Sequence, residues 1–280
     1  MNIMKILAGI VVCNPEIQRL NSNLSAIIPQ VDEVIVVKNG FSQNEQSVQK
    51  LIEENKLNVI QNEKNLGIAA ALNQLLEYGQ KKEFDWLITL DQDSIAPFNM
   101  VEIYNDYMEY TRAGIICPYI CDLNNERKEI IEQEIEIISN EEQVITSGSC
   151  INIRKAIQIG GFDERLFIDF VDTEFQKRML LSGYKILRAN NVGLIHEIGN
   201  IKTYSLFKFK IICTNHNPMR RYYQVRNRLY YKEKYYGKRY ALKEKIRILL
   251  GTVKIVLFEK EKFKKIIATY NGFRDYRELL

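Results

Sequence analysis

Asp85-Trp86-Leu87-Ile88-Thr89-Leu90-Asp91-Gln92-Asp93-Ser94 is the stretch that decides the fold. Trp86 to Leu90 is short and mostly apolar, and a run of that kind bounded by polar residues reads as a buried strand. Two carboxylates, one residue apart, stand where the strand ends. In an open α/β sheet, ligands bind beyond the carboxyl ends of the strands. If the chain stays extended, Asp91 and Asp93 point to the same side, because strand side chains repeat every second residue. Oxygen ligands paired in this way suit a hard divalent cation, Mg²⁺ or Mn²⁺, which would hold a diphosphate. The same residues also read as a polar turn in which Asp93 or Ser94 caps a helix running on past Pro97.

Working outward, the N-terminal half alternates strand-like and helix-like segments. Lys5–Val12, Glu33–Val37 and Leu57–Ile60 read as strands; Glu16–Ile28, Asn44–Asn55 and Ile68–Tyr78 read as helices. That rhythm predicts an α/β fold with a parallel sheet flanked by helices. Turn signals at Asn14-Pro15, Asn39-Gly40 and Asn65-Leu66-Gly67 fall between the segments. From Ile115 the pattern changes. Asp122–Gln143 is polar and acidic and reads as a hairpin or surface excursion. Gln143–Arg154 reads as a strand in which Gly148 permits close backbone approach. Asp172–Ser182 reads as a helix, and Lys185–Arg188 and Val192–His196 as further strands. After about residue 201 the reading becomes helical, with Leu242, Ile246, Leu249, Leu250, Val253, Val256 and Leu257 on one face.

A chain of 280 residues with 46% hydrophobic composition suffices for one large domain or two small ones. Cys13, Cys117, Cys121, Cys150 and Cys213 make an odd set without a Cys-x-x-Cys, which argues against a disulfide framework or zinc site and suits a reducing cytosol. No signal peptide is expected at Met1–Lys5, and no apolar run reaches the roughly 18 residues of a bilayer span. The charge is uneven. Residues 202–280 carry 21 Lys and Arg against 6 Asp and Glu, whereas residues 1–201 carry 18 against 29. Ten of the sixteen tyrosines lie in the basic part. A basic, aromatic tail on an acidic body predicts contact with an anionic surface. Arg220, Arg221, Tyr222 and Tyr223 have no accompanying nucleic-acid motif, so no nucleic-acid partner is expected. The tail is equally suited to packing on a second subunit, as a homodimer.

Further motifs follow in a fixed order. Val11-Val12-Cys13-Asn14-Pro15 ends the first strand and Val36-Val37-Lys38-Asn39-Gly40 the second. Asn62-Glu63-Lys64-Asn65-Leu66-Gly67-Ile68-Ala69-Ala70-Ala71-Leu72-Asn73 follows the third and opens a helix whose N-terminus would face anions. After Asp-x-Asp come Gly161-Phe162-Asp163-Glu164, Phe167 to Phe175, His196-Glu197-Ile198-Gly199, and Arg221-Tyr222-Tyr223-Gln224-Val225-Arg226-Asn227. Over roughly residues 5–230 this order resembles the family 2 glycosyltransferases of GT-A fold, in their bacterial rhamnosyltransferase-like branch.

The resemblance implies a Rossmann-like, mostly parallel sheet flanked by helices. Residues 1–95 would form the nucleotide-sugar half, 96–200 the acceptor and catalytic half, and 201–280 a basic helical region. It implies that Cys13, Asn14, Lys38, Asn39, Asn65 and Gly67 border the nucleotide. Asp91 would serve ribose and, with Asp93 and His196, the metal. Asp172 would be the catalytic base. Glu174, Asp163 and Gly148 would lie on the substrate side, and Arg221, Arg226 and Asn227 would steady the diphosphate or a lid. Lys38 stands where relatives often carry aspartate, and Val171 where many carry glutamate.

The chemistry matches these residue types. A divalent cation neutralises a departing diphosphate, and a carboxylate within about 3 Å of the acceptor hydroxyl takes its proton as general base. The expected activity is metal-dependent, inverting transfer of a sugar from a nucleoside diphosphate to a bacterial surface polysaccharide or polyprenyl-diphosphate-linked acceptor. L-rhamnose from dTDP-rhamnose is the leading donor, and UDP-hexose or UDP-galactofuranose the alternative. A nucleotidyltransferase and a non-catalytic nucleotide-sugar-binding module are the other readings. The expected location is cytoplasmic, at the inner face of the cell membrane, with 202–280 on anionic lipid.

Overall fold

A computed structural model describes residues 4–40, 43–122, 135–138, 144–196, 202–206, 209–213 and 215–280, the side chains of 121–122, 195–196, 202–206 and 209–213 excepted. The described chain divides into two compact units. One comprises residues 1–164 and 172–197, the other 165–171 and 198–280.

The first unit is built on β1 (Ile6–Val12), α1 (Ile17–Ile27), β2 (Glu33–Asn39), α2 (Glu45–Glu54), β3 (Asn58–Asn62), α3 (Ile68–Lys81) and β4 (Trp86–Asp91). These match the expected succession to within a few residues. α4 (Met100–Met108), β5 (Ala113–Asp122), β6 (Ile135–Ile138), β7 (Ser149–Asn152), α5 (Ile153–Gln158), α6 (Val171–Leu181) and β8 (Lys185–His196) follow. Eight strands form one sheet in the order β3-β2-β1-β4-β7-β5-β8-β6. β3, β2, β1 and β4 run parallel, as do β5 and β8; β7 is antiparallel to β4 and β5, and β6 to β8. Six of the seven residues of β1 are buried, as required of a central strand covered by helices on both faces. α1 presents Leu20, Asn23, Leu24 and Ile27 to the core at helical spacing. Each fully buried Leu or Ile contributes on the order of 2 kcal/mol.

Register sets up the site. Val12 pairs with Lys38, Asn39 with Asn62, and Val11 with Asp91, so four parallel strands end at one edge of the sheet.

Two expectations need correction, and a third falls mostly on residues that are not described. The strand expected over Gln143–Arg154 is confined to Ser149–Asn152: a turn closed by Ser149 N on Thr146 O (3.0 Å) precedes it, and Asn152 caps α5 by accepting the Lys155 N–H (3.1 Å). Lys185–Arg188 and Val192–His196 are one strand; its pairing with β5 jumps from Pro118↔Ala189 to Tyr119↔Gly193, absorbing Asn190-Asn191-Val192 as a bulge. Most of the acidic excursion Asp122–Gln143 lies outside the described residues, apart from β6.

The second unit is not helical throughout. β9 (Lys202–Leu206) and β10 (Phe209–Cys213) pair antiparallel before α7 (Pro218–Tyr236), α8 (Lys238–Phe258) and α9 (Lys262–Asp275). Lys-Thr-Tyr-Ser-Leu and Phe-Lys-Ile-Ile-Cys are rich in β-branched and aromatic residues, and this local preference prevailed over the basic, helix-like composition. Pro218 and Asn217, whose side chain accepts the Arg220 N–H, start α7. Val225, Leu229, Ile248 and Tyr276 form the unit's core. Among the described residues no helix is long and apolar enough to cross a membrane.

Candidate active site

The carboxyl ends of β1 to β4 carry a hydrogen-bonded rim. Asn39, ending β2, is buried and all its amide atoms are used. Its Nδ2 donates to Gly67 O (3.0 Å) and Asn65 Oδ1 (3.1 Å), and its Oδ1 accepts from Leu66 N (3.0 Å) and Asn62 Nδ2 (3.2 Å). Asn65 in turn donates to Cys13 Sγ (3.4 Å), and Cys13 N donates to Gln92 Oε1 (2.8 Å). Asn14, held left-handed at φ 53°, accepts the Gln43 N–H (2.8 Å). The rim therefore runs from β2 through the Asn65–Gly67 turn and the end of β1 to the turn after β4. Gly67, at φ 88°, opens α3 in a conformation that a side chain would strain.

The acid pair does not sit on an extended strand. Ser94 N donates to Asp91 O (3.2 Å), so the chain turns at once after β4, and strand alternation does not set the two carboxylates. Asp91 is half-buried and Asp93 exposed. Neither Asp93 nor Ser94 caps a helix: α4 begins at Met100 behind Asn99. Ser94 is buried beneath the turn, where it accepts the Ser147 hydroxyl (2.8 Å). Ser147 Oγ accepts the Asp91 N–H (3.0 Å), and Asn23 Nδ2 donates to Asp91 O (2.7 Å). Asp91 is thus fixed through its backbone from both sides, with its carboxylate at the sheet edge.

Asp163 and Asp172 belong to a second group. Asn73 on α3 accepts from Phe162 N (2.7 Å) and donates to Phe162 O (3.0 Å) and Glu164 Oε1 (2.8 Å). This clamps the Gly161–Glu164 loop that presents Asp163. Phe162 stacks on Phe175 of α6, with centroids 4.1 Å apart. Asp172, half-buried in the first turn of α6, accepts Thr173 N on Oδ1 (2.7 Å). Helix α3 joins the two groups, since Gly67 and Asn73 are six residues apart, about 9 Å along the axis.

Other expected ligands have internal partners. Glu174 is fully buried, and both its oxygens accept from Arg178, which also donates to Ile159 O (2.7 Å). Glu174, expected on the substrate side, is thus engaged with Arg178, and the pair ties α6 to the end of α5. Lys38 is buried and paired with Glu45, so its ammonium is not presented to a base. Gly148, at φ +77°, lies where a Cβ would stand 2.8 Å from Pro118 Cγ and 2.9 Å from Leu194 Cδ2, so its backbone packs closely against both. The side chain of His196 and residues 197–200 lie outside the described residues; the His196 backbone ends β8.

Within the second unit, Arg221 donates to Thr269 Oγ1 (3.0 Å) and Thr252 Oγ1 (3.1 Å), and its burial lowers its pKa. Arg226 donates to Arg165 O (2.6 Å) and lies over the ring of Tyr223 (4.8 Å). Asn227 is fully buried and donates to Ile168 O (2.8 Å) and Asp169 O (2.9 Å). Asp169 and Phe170, at φ 65° and 66°, are consecutive left-handed residues just before α6. Of Arg226 and Asn227, both expected at the diphosphate or a lid, Asn227 holds this strained segment and Arg226 holds Arg165 upstream of it.

Among the described residues no group of three or more His, Cys, Asp or Glu forms a metal cage. The acid pair still fits Mg²⁺ or Mn²⁺, because such ions take one or two carboxylates together with substrate phosphates and water. Sequence reasoning missed Asn73, Gln92, Ser147 and Asn23. Asn73, closing the quoted Asn62–Asn73 motif, and Gln92, between the two aspartates, stood inside quoted motifs.

The comparisons agree with this architecture. Residues 9–158 match the model of "Glycosyl transferase family 2". The chain is 30% identical over 287 residues to the dTDP-rhamnosyl transferase RfbF of Shigella flexneri, covering 96% of this chain and 95% of that one. Among solved structures, GalNAc-T7 with UDP, GalNAc and Mn²⁺ superposes with a TM-score of 0.58 at 17% identity, over 80% of this chain and 47% of that one. S. aureus TarS 1–349 gives 0.53 at 16% identity, over 81% of this chain and 64% of that one. This chain thus spans less than two thirds of either solved chain, and those likenesses establish the GT-A type of fold. With the family model covering more than half of the chain and the RfbF match nearly all of it, this protein is a member of glycosyl transferase family 2.

Proposed function

We propose that the protein transfers L-rhamnose from dTDP-rhamnose, with inversion, to a hydroxyl of a bacterial surface polysaccharide or polyprenyl-diphosphate-linked glycan at the inner face of the cell membrane. The donor assignment draws on the RfbF relative, and the transfer chemistry on one observation: the amide rim runs directly into the turn that carries Asp91 and Asp93. Cys13, Asn14, Asn39, Asn65 and Gly67 shape the nucleotide side. Asp91 and Asp93 would hold the divalent cation, which when bound neutralises the charge developing on the departing diphosphate.

Asp172 takes the proton of the acceptor hydroxyl as the new bond forms, a contribution of about 10²–10⁴-fold in rate. Asp163, on the clamped loop, contacts the acceptor. One base opposite one leaving group gives in-line displacement and inversion. The second reading, a UDP-sugar donor, draws on the UDP in the GalNAc-T7 structure. A donor panel decides between them. Release of dTDP from dTDP-rhamnose in the presence of acceptor is expected. Release of UDP alone favours the second reading, and pyrophosphate released from a nucleoside triphosphate overturns both.

A further inference from the structure

We infer that α8 and α9 form an interfacial surface that inserts apolar side chains into an anionic lipid bilayer. The apolar stripe of α8 does not face the core. Ala241, Glu244, Ile248 and Ile255 are the buried residues of that helix. Leu242, Ile246, Leu249, Leu250, Val253 and Leu257 are all exposed, Leu250 at 69%. At 3.6 residues per turn the exposed set fills an arc of roughly 120° on the side away from the buried set. α9 repeats the arrangement. Lys265, Ala268, Thr269 and Gly272 face inward. Phe263, at 84% exposure, with Ile267 and Tyr270, faces out.

α8 and α9 contact one another, and each gathers its exposed apolar residues on one side, unlike the singly scattered hydrophobics of an ordinary surface. Lys243, Arg247 and Lys254 border the stripe along α8, and residues 238–275 carry 11 Lys and Arg against 4 Asp and Glu. An apolar face with a cationic flank, on helices that cannot span, is the signature of a helix lying in the lipid interface. The charge selects the occupant. Acidic headgroups complement the basic border, whereas a second copy would bring two net-positive surfaces together.

This deepens the membrane-borne acceptor reading and rests on it for its purpose, but its test reads binding rather than transfer. The full chain is floated with phosphatidylcholine vesicles with and without phosphatidylglycerol. Wild type is expected to float with the anionic vesicles and to keep part of its binding at high salt, since insertion is not screened. Leu250→Asp combined with Phe263→Asp is expected to lower partitioning at least about tenfold, with unchanged circular dichroism and melting. The inference is overturned if wild type fails to bind anionic vesicles, or if the double variant floats like wild type. It is equally overturned if the variant instead converts a sedimenting dimer into a monomer, since the face then belongs to a second copy. Sugar transfer to a water-soluble acceptor analogue, run without vesicles, reports separately on the enzymatic reading, and the double variant should retain it.

Discussion

Asn73 grips Phe162 through both backbone groups, accepting its N–H at 2.7 Å and donating to its C=O at 3.0 Å. The residues lie 89 positions apart, so one amide on α3 fixes a loop on the opposite half of the same unit. Asn73→Ala removes both bonds and leaves Phe162 without them. Stability is expected to fall by about 1–3 kcal/mol, and acceptor KM to rise while donor affinity holds. Denaturant melts and steady-state kinetics check both.

Glu174 and Arg178 form a pair in which the carboxylate is fully buried. Removing one partner from such a pair leaves an uncompensated charge and costs about 3–5 kcal/mol. Because Arg178 is partly solvated, the lower end applies to Glu174→Gln. A drop in melting temperature with donor binding retained in the folded fraction is the expected result; a stable variant that no longer binds donor would return Glu174 to the substrate.

Asn227 and the strained Asp169-Phe170 pair make a further prediction. Asn227→Ala frees two backbone carbonyls in a segment that precedes Asp172 directly. Stability is expected to fall by about 1–3 kcal/mol, and kcat more than donor Kd. Unchanged kcat would show that the strain serves unit 2 alone.

The Tyr78 hydroxyl donates to Glu33, and its burial and that carboxylate raise its pKa to about 12. A raised pKa means the folded chain holds this proton more tightly than the unfolded one. The stabilisation is full below the ordinary tyrosine value of about 10 and is lost as pH rises from there through 12. Melts from neutral to strongly alkaline pH should therefore fall more steeply for wild type than for Tyr78→Phe. Parallel curves would contradict the assignment.

The first half of the fold was legible because its β-branched runs are short and separated by Asn and Gly turns. The strand at Ser149–Asn152 was drawn too long because neither the Thr146–Ser149 turn before it nor the Asn152 cap after it interrupts the apolar pattern. Asp91 and Asp93 stand out in the sequence, but whether they end an extended strand or enter a turn does not: the turn closes on Ser94, which accepts the hydroxyl of Ser147, 53 residues away. The roles of Gln92 and Asn23 were hidden for the same reason, since an amide whose partner is distant in sequence leaves no spacing. The α8 stripe was seen as a face, but periodicity does not say whether such a face meets core or solvent.

With Asp91 assigned to the donor and Asp172 to the acceptor proton, a crossed comparison of the two variants separates the roles. Nucleotide-sugar Kd and kcat are measured for Asp91→Asn and Asp172→Asn with divalent cation present and after chelation. Asp91→Asn is expected to weaken donor binding and to blunt its dependence on the cation. Asp172→Asn should leave Kd unchanged and lower kcat by about 10²–10⁴-fold. An Asp172→Asn variant that turns over like wild type, or an Asp91→Asn variant that binds donor like wild type, would contradict these roles.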